Sequence, residues 1–114
     1  MTPPPVVAPA PVVSGGCESF LPLVSKYDWD VKIMMAIMQA ESTCRSDAIG
    51  DTQPIAGLLA HSCGLFQIRT LAGRPTCEQL KDPATNIDWA YRIYKGQGLR
   101  AWSVFSNGKY TRYL

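Results

Sequence analysis

Glu41 and Ser42 close an apolar run, Met34-Met35-Ala36-Ile37-Met38-Gln39-Ala40, and a carboxyl group so placed is equipped for proton chemistry. At helical pitch Glu41 projects from the face that carries Met34, Ile37 and Met38, its neighbours at i−7, i−4 and i−3. Burial among thioethers and alkyl groups disfavours the charged form of a carboxyl group, and the negative end of the helix dipole pushes the same way. The expectation is therefore a carboxyl with a raised pKa, protonated near neutral pH and able to give a proton to a leaving oxygen. A structural alternative is a helix-end glutamate paired with Arg45, four residues further on.

The elements that must hold this residue follow from pattern. Ser19 to Tyr27 reads as a short helix, with Pro22 tolerated in its first turn. Asp28 or Asp30 caps a second helix that runs to about Cys44 and is apolar nearly all round, so it is expected to be the buried central helix. From Arg45 to Ser62 the periodicity is lost among Gly50, Pro54, Gly57 and polar residues, which predicts a long irregular loop. Cys63 to Arg69 reads as a short strand or strand-like turn, and Cys77-Glu78-Gln79-Leu80 as one helical turn. Asp82-Pro83 announces a further helix, as N-cap and first-turn proline, with Ile87, Ala90, Tyr91 and Tyr94 at i, i+3, i+4, i+7 and Gly96 as its stop. Asn107-Gly108 marks a turn near the end. The fold class predicted is mainly α, a small domain with a buried central helix and a short β-like segment.

The chain has 114 residues, of which 46% are hydrophobic, including three Trp, so one folded domain is expected over residues 17–114. Residues 1–16 carry five prolines in the first eleven positions and end in Gly15-Gly16, the composition of a spacer that joins another module. That start has neither the basic residues nor the continuous apolar core of a signal peptide, and no run is long enough to span a membrane. Net charge is +2 but uneven: residues 1–68 carry −3 and residues 69–114 carry +5. A basic second half suits a polyanionic partner, yet no nucleic-acid recognition motif accompanies it.

Cys17, Cys44, Cys63 and Cys77 lack the C-x-x-C spacing of a zinc site and read as two disulfides, which places the protein outside the cytosol. An antiparallel pair of helices turning near Tyr27 to Asp30 would bring Cys17 and Cys44 to the same end, so the expected pairs are Cys17–Cys44 and Cys63–Cys77. No metal site is expected. The methionines of the central helix read as core filling, the tryptophans as core before sugar-stacking surface, and His61, the sole histidine, as part of a polar loop.

Several fragments in this order resemble the lytic transglycosylase domains of the lysozyme-like superfamily, which includes goose-type lysozyme and phage endolysin domains. They are Ala40-Glu41-Ser42 at the end of a hydrophobic helix, Gly64-Leu65-Phe66-Gln67-Ile68, and Asp82-Pro83-Ala84-Thr85-Asn86-Ile87. Ala90-Tyr91-Arg92-Ile93-Tyr94 and the segment from Ala101 to Tyr110 complete the set. The resemblance covers residues 17–114 and implies a monomeric, wall-associated or secreted enzyme that needs no cofactor. Its substrate would be peptidoglycan glycan strands, cut at the β-1,4 bond between N-acetylmuramic acid and N-acetylglucosamine.

Residue by residue, the resemblance makes Glu41 the general acid and then the general base, with Ser42 beside it. Gly64, Leu65, Phe66 and Gln67 would line the cleft floor and Asn86 would order the cleft; because Phe105 stands where the family often has tyrosine, either Tyr91 or Tyr94 supplies the missing hydroxyl or Glu41 is tuned by burial alone. A hydrolytic muramidase is the alternative reaction, and an inverting one needs a second carboxylate roughly 6.5–9.5 Å away; Asp51 is the first candidate to position water and Asp47 the second. The alternative from another class is a non-catalytic peptidoglycan-binding module on the same fold.

Overall fold

The structure, a computed structural model, describes residues 16–55 and 58–114, without the side chains of residues 51–59. Apart from Gly16, the proline-rich segment expected to be a spacer lies outside the described residues. A 3-10 turn over Gly16–Phe20 leads into α1 (Leu21–Val24), which replaces the single helix expected from Ser19 to Tyr27. Pro22 occupies the first turn of α1, where its missing N–H leaves no intrahelical bond unmade.

The long helix α2 (Val31–Ser42) starts where the Asp30 carboxylate accepts a hydrogen bond from the Ile33 N–H. Met34, Ile37 and Met38 are wholly buried at 0% exposure, which makes α2 the helix around which the core is assembled. It ends abruptly: Thr43 and Cys44 both take positive φ, 51° and 61°, and turn the chain sharply out of the helix. The buried Ser42 hydroxyl secures this exit by donating to the Met38 carbonyl and accepting from the Cys44 N–H.

Next comes a three-stranded antiparallel sheet, β1 (Ile49–Ile55), β2 (Leu58–Cys63) and β3 (Ile68–Arg69), in that spatial order. The irregular loop expected from Arg45 to Ser62 is thus largely a β-hairpin, and His61 sits on a strand within it. The pairing of Ile49 with Cys63 and of Gly50 with Ser62 gives way to a register shift before Gln53. A bulge of this kind lets glycine-rich, polar sequence pair while breaking the period-two alternation that betrays a strand.

Helix α3 (Cys77–Leu80) carries a reciprocal cap, in which the Thr76 hydroxyl accepts from the Gln79 N–H and the Gln79 side chain accepts from the Thr76 N–H. Helix α4 (Pro83–Gln97) begins at Asp82, whose carboxylate accepts from the Thr85 N–H. It runs one residue past the expected stop at Gly96. Gly98, with φ 76°, is the residue that ends it, because that backbone angle costs other side chains more. A 3-10 turn (Leu99–Ala101), α5 (Ser103–Ser106) and a final 3-10 turn (Lys109–Tyr113) complete the chain.

The core joins α2 to the inner faces of β2, α3 and α4 through Cys63, Leu65, Phe66, Leu80, Ile87 and Ala90. Trp29 and Trp102 belong to it, each spending its indole N–H on a carbonyl, Val24 at 2.8 Å and Phe66 at 3.1 Å. Two disulfides close it, Cys17–Cys44 across the base of α2 and Cys63–Cys77 between β2 and α3, the pairs expected from helix geometry. In a domain of this size each such link typically adds about 2–5 kcal/mol.

Candidate active site

The turn Gly64–Gln67 between β2 and β3 is tied down by Asn86, Trp102 and Ala48. Asn86, at 0% exposure on α4, accepts from the Phe66 N–H at 2.8 Å and donates to the carbonyls of Cys63 and Leu80, both at 2.9 Å. Trp102 donates to the Phe66 carbonyl. The Gly64 N–H donates to Ala48, and the Gln67 side chain donates to the carbonyls of Ala48 and Gly64. Gly64 has φ 79°, and a Cβ there would overlap the Asn86 amide and the Leu80 carbonyl, so the turn can be built only on glycine.

Glu41, half-buried on the last turn of α2, and Gln67 line one cleft of about 380 Å³. Its other walls come from Arg69 and Arg74 after β2, from Ile93 and Gln97 on α4, and from Trp102 and Ser103. The Arg74 guanidinium donates to the Arg69 carbonyl at 3.3 Å, and burial holds it below the usual arginine pKa while leaving it cationic. Arg45 pairs with Asp47 at 3.8 Å.

Other expected site residues take different positions. Ser42 is next to Glu41 in sequence but its hydroxyl is used within the helix exit. Leu65 and Phe66, each at 0% exposure, face the core, so this turn offers a ligand the side chain of Gln67. Tyr91 packs against Tyr27 and Trp29 with ring centroids 4.8 and 5.4 Å away, while the cleft is lined by Ile93 and Gln97 on another face of α4. Phe105 stacks on Tyr110 and, with Tyr94, borders a separate shallow hollow. Asp51 has its backbone in β1, and its side chain lies outside the described residues; Asp47 is exposed. Among the described residues no group of His, Cys, Asp and Glu is arranged to hold a metal ion.

Sequence reading did not find Arg69, Arg74, Ile93, Gln97 and Ser103 as lining residues. Only the i, i+4 spacing of Ile93 and Gln97 hinted at a shared face. The others reach the cleft through turns whose direction depends on tertiary contacts.

A family described as the lysozyme-like domain matches residues 26–104. The chain belongs to this lysozyme-like domain family. Among its relatives are three proteins named membrane-bound lytic murein transglycosylase C. Those of Photorhabdus laumondii and Yersinia pestis are each 36% identical over 83 residues, and that of Yersinia enterocolitica is 34% identical over 79. Each alignment covers 62% of this chain and 22% of the relative, so the chain spans only about a fifth of the length of those proteins. No solved structure gives a significant match. No helix among the described residues of the lysozyme-like domain is long and apolar enough to cross a membrane.

Proposed function

We propose that the domain cleaves peptidoglycan glycan strands at the β-1,4 bond between N-acetylmuramic acid and N-acetylglucosamine, as a lytic transglycosylase. The observation that carries this reading is the placement of Glu41: a half-buried carboxyl on the rim of the core, opening into a cleft it shares with Gln67. A group that served only to bind sugar would not need to sit at the buried end of an apolar helix.

In this mechanism the protonated Glu41 gives its proton to the glycosidic oxygen as the bond from that oxygen to C1 of the muramic acid breaks. The sugar's own 2-acetamido oxygen stabilises the positive charge that develops at C1. The Glu41 carboxylate then takes the proton from the C6 hydroxyl while O6 bonds to C1, which closes a 1,6-anhydro ring and restores the acid. One carboxyl therefore acts twice, and neither water nor a second carboxylate enters the reaction. Gln67, held by two backbone carbonyls, lines the same cleft and presents a polar edge to the sugar.

Purified wall sacculi incubated with the protein provide the test. The expected result is soluble muropeptides whose glycan ends are lighter by one water than hydrolytic ends. Reducing ends would replace this reaction with that of a muramidase, and wall binding without soluble fragments would make the domain a binding module.

A further inference from the structure

Beside the cleft lies a hollow of about 700 Å³, bordered by Tyr94, Lys95 and Gln97 on the last turn of α4, by Arg100 just after it, by Asp28 ahead of α2 and by Phe105 on α5. Gln97 lines both depressions, so cleft and hollow adjoin at this side chain. The two aromatic rings at the border are half-buried, and each is held by other rings. Tyr94 stacks on Tyr91 with centroids 6.1 Å apart and meets the buried Trp29 edge-on at 5.7 Å, and Phe105 stacks on Tyr110 at 5.0 Å. Rings fixed in this way lose little further freedom when a ligand packs on them.

The polar groups around these rings are of every kind and sit on exposed side chains: the Asp28 carboxylate accepts hydrogen bonds, Lys95 and Arg100 donate, and Gln97 does both. A simple anion would meet Asp28, a simple cation would meet Lys95 and Arg100, and an aliphatic ligand would use none of the four. A pyranose ring satisfies both halves of the lining. Its axial C–H face packs on aromatic carbon, and its rim of hydroxyl and acetamido groups gives and takes hydrogen bonds. We propose that this hollow is a second carbohydrate site, holding a sugar of the same glycan strand that occupies the Glu41 cleft, with the strand crossing at Gln97. This rests on the peptidoglycan reading above.

Binding, measured apart from turnover, tests it. Glu41→Gln protein is titrated with peptide-free oligosaccharides of alternating N-acetylglucosamine and N-acetylmuramic acid, one probe two sugars long and the other eight. The longer probe is expected to bind at least about 10-fold more tightly, because a strand anchored in the cleft offers its remaining sugars to the hollow at high effective concentration. Adding Phe105→Leu, which keeps apolar volume but removes the aromatic face, or Arg100→Ala, on an exposed side chain, reduces that ratio to the few-fold gain that extra binding registers give alone. A ratio no greater than this before either substitution, or a ratio that both substitutions leave intact, overturns the proposal; so does an equal weakening of the two probes. Arg100→Ala decides the matter should the leucine variant not fold. Failure of the catalytic reading has a different signature: wild-type protein releases no soluble fragments, while the gain with length and its loss in the variants persist.

Discussion

Glu41→Gln protein loses wall-clearing activity, with kcat lower by about 10²–10⁴-fold, while its melting temperature and its affinity for insoluble peptidoglycan are retained. The amide is nearly isosteric with the carboxyl but cannot release a proton to the leaving oxygen or take one from the C6 hydroxyl, so both halves of the reaction fail together. Stability is spared because the side chain is half-buried at a cleft wall and does not fill the core; a change of no more than about 1 kcal/mol is expected. Turbidity loss, sedimentation with sacculi and thermal denaturation check the three parts. A variant that clears walls at the wild-type rate removes Glu41 from the mechanism.

Asn86→Ala has the largest expected effect on folding. The wild-type side chain meets one N–H and two carbonyls of the segments that form the cleft floor, and it does so at 0% exposure. Truncation strips those three groups of the amide and leaves a void that water enters poorly. Each buried polar group left unmet costs about 1–3 kcal/mol, so a loss of about 3–5 kcal/mol is expected, partly relieved by relaxation. For a domain of this size that lowers the melting temperature by roughly 10–25 °C. Below that temperature activity should also fall, because the turn that carries Gln67 has lost its anchor on α4. Thr85→Ala is the control: Thr85 is the neighbour whose hydroxyl bonds exposed Asp82, and it should shift melting by only a few degrees. Equal shifts for the two variants would contradict this account of the cleft floor.

Much of the scaffold was legible because its signals are local. Asp30 and Asp82 lie where a short acceptor meets the first free N–H groups of a helix, and each caps as its position predicts. The apolar stripe of α2 identified the central helix, and the antiparallel return of the chain to its start gave the Cys17–Cys44 pair. The hairpin from Ile49 to Cys63 was not legible. Its pairing is non-local, and its bulge and its Gly50 and Pro54 disguise the alternation, so residues that look like loop are held by strand partners.

The site divides in the same way. The stripe exposed Glu41, and the resemblance singled out Gln67 and Asn86. In Gly64-Leu65-Phe66-Gln67, however, sequence alone could not say which side chains face the cleft and which face the core. That is settled by the left-handed backbone at Gly64 and Gln67, with φ 79° and 51°, which turns Leu65 and Phe66 inward. Arg69 and Arg74 enter the cleft through the same tertiary route, one from the short strand β3 and one from the turn after it.

The central claim is that the Glu41 side chain reaches the scissile oxygen from the wall of this cleft. An experimental structure of Glu41→Gln protein with a bound oligomer of alternating N-acetylglucosamine and N-acetylmuramic acid measures it directly. The expected result is a strand lying between Gln67 and Gln97, with the residue 41 side chain about 2.6–3.2 Å from a glycosidic oxygen. An oligomer seated elsewhere on the domain, with the cleft empty, would contradict the account.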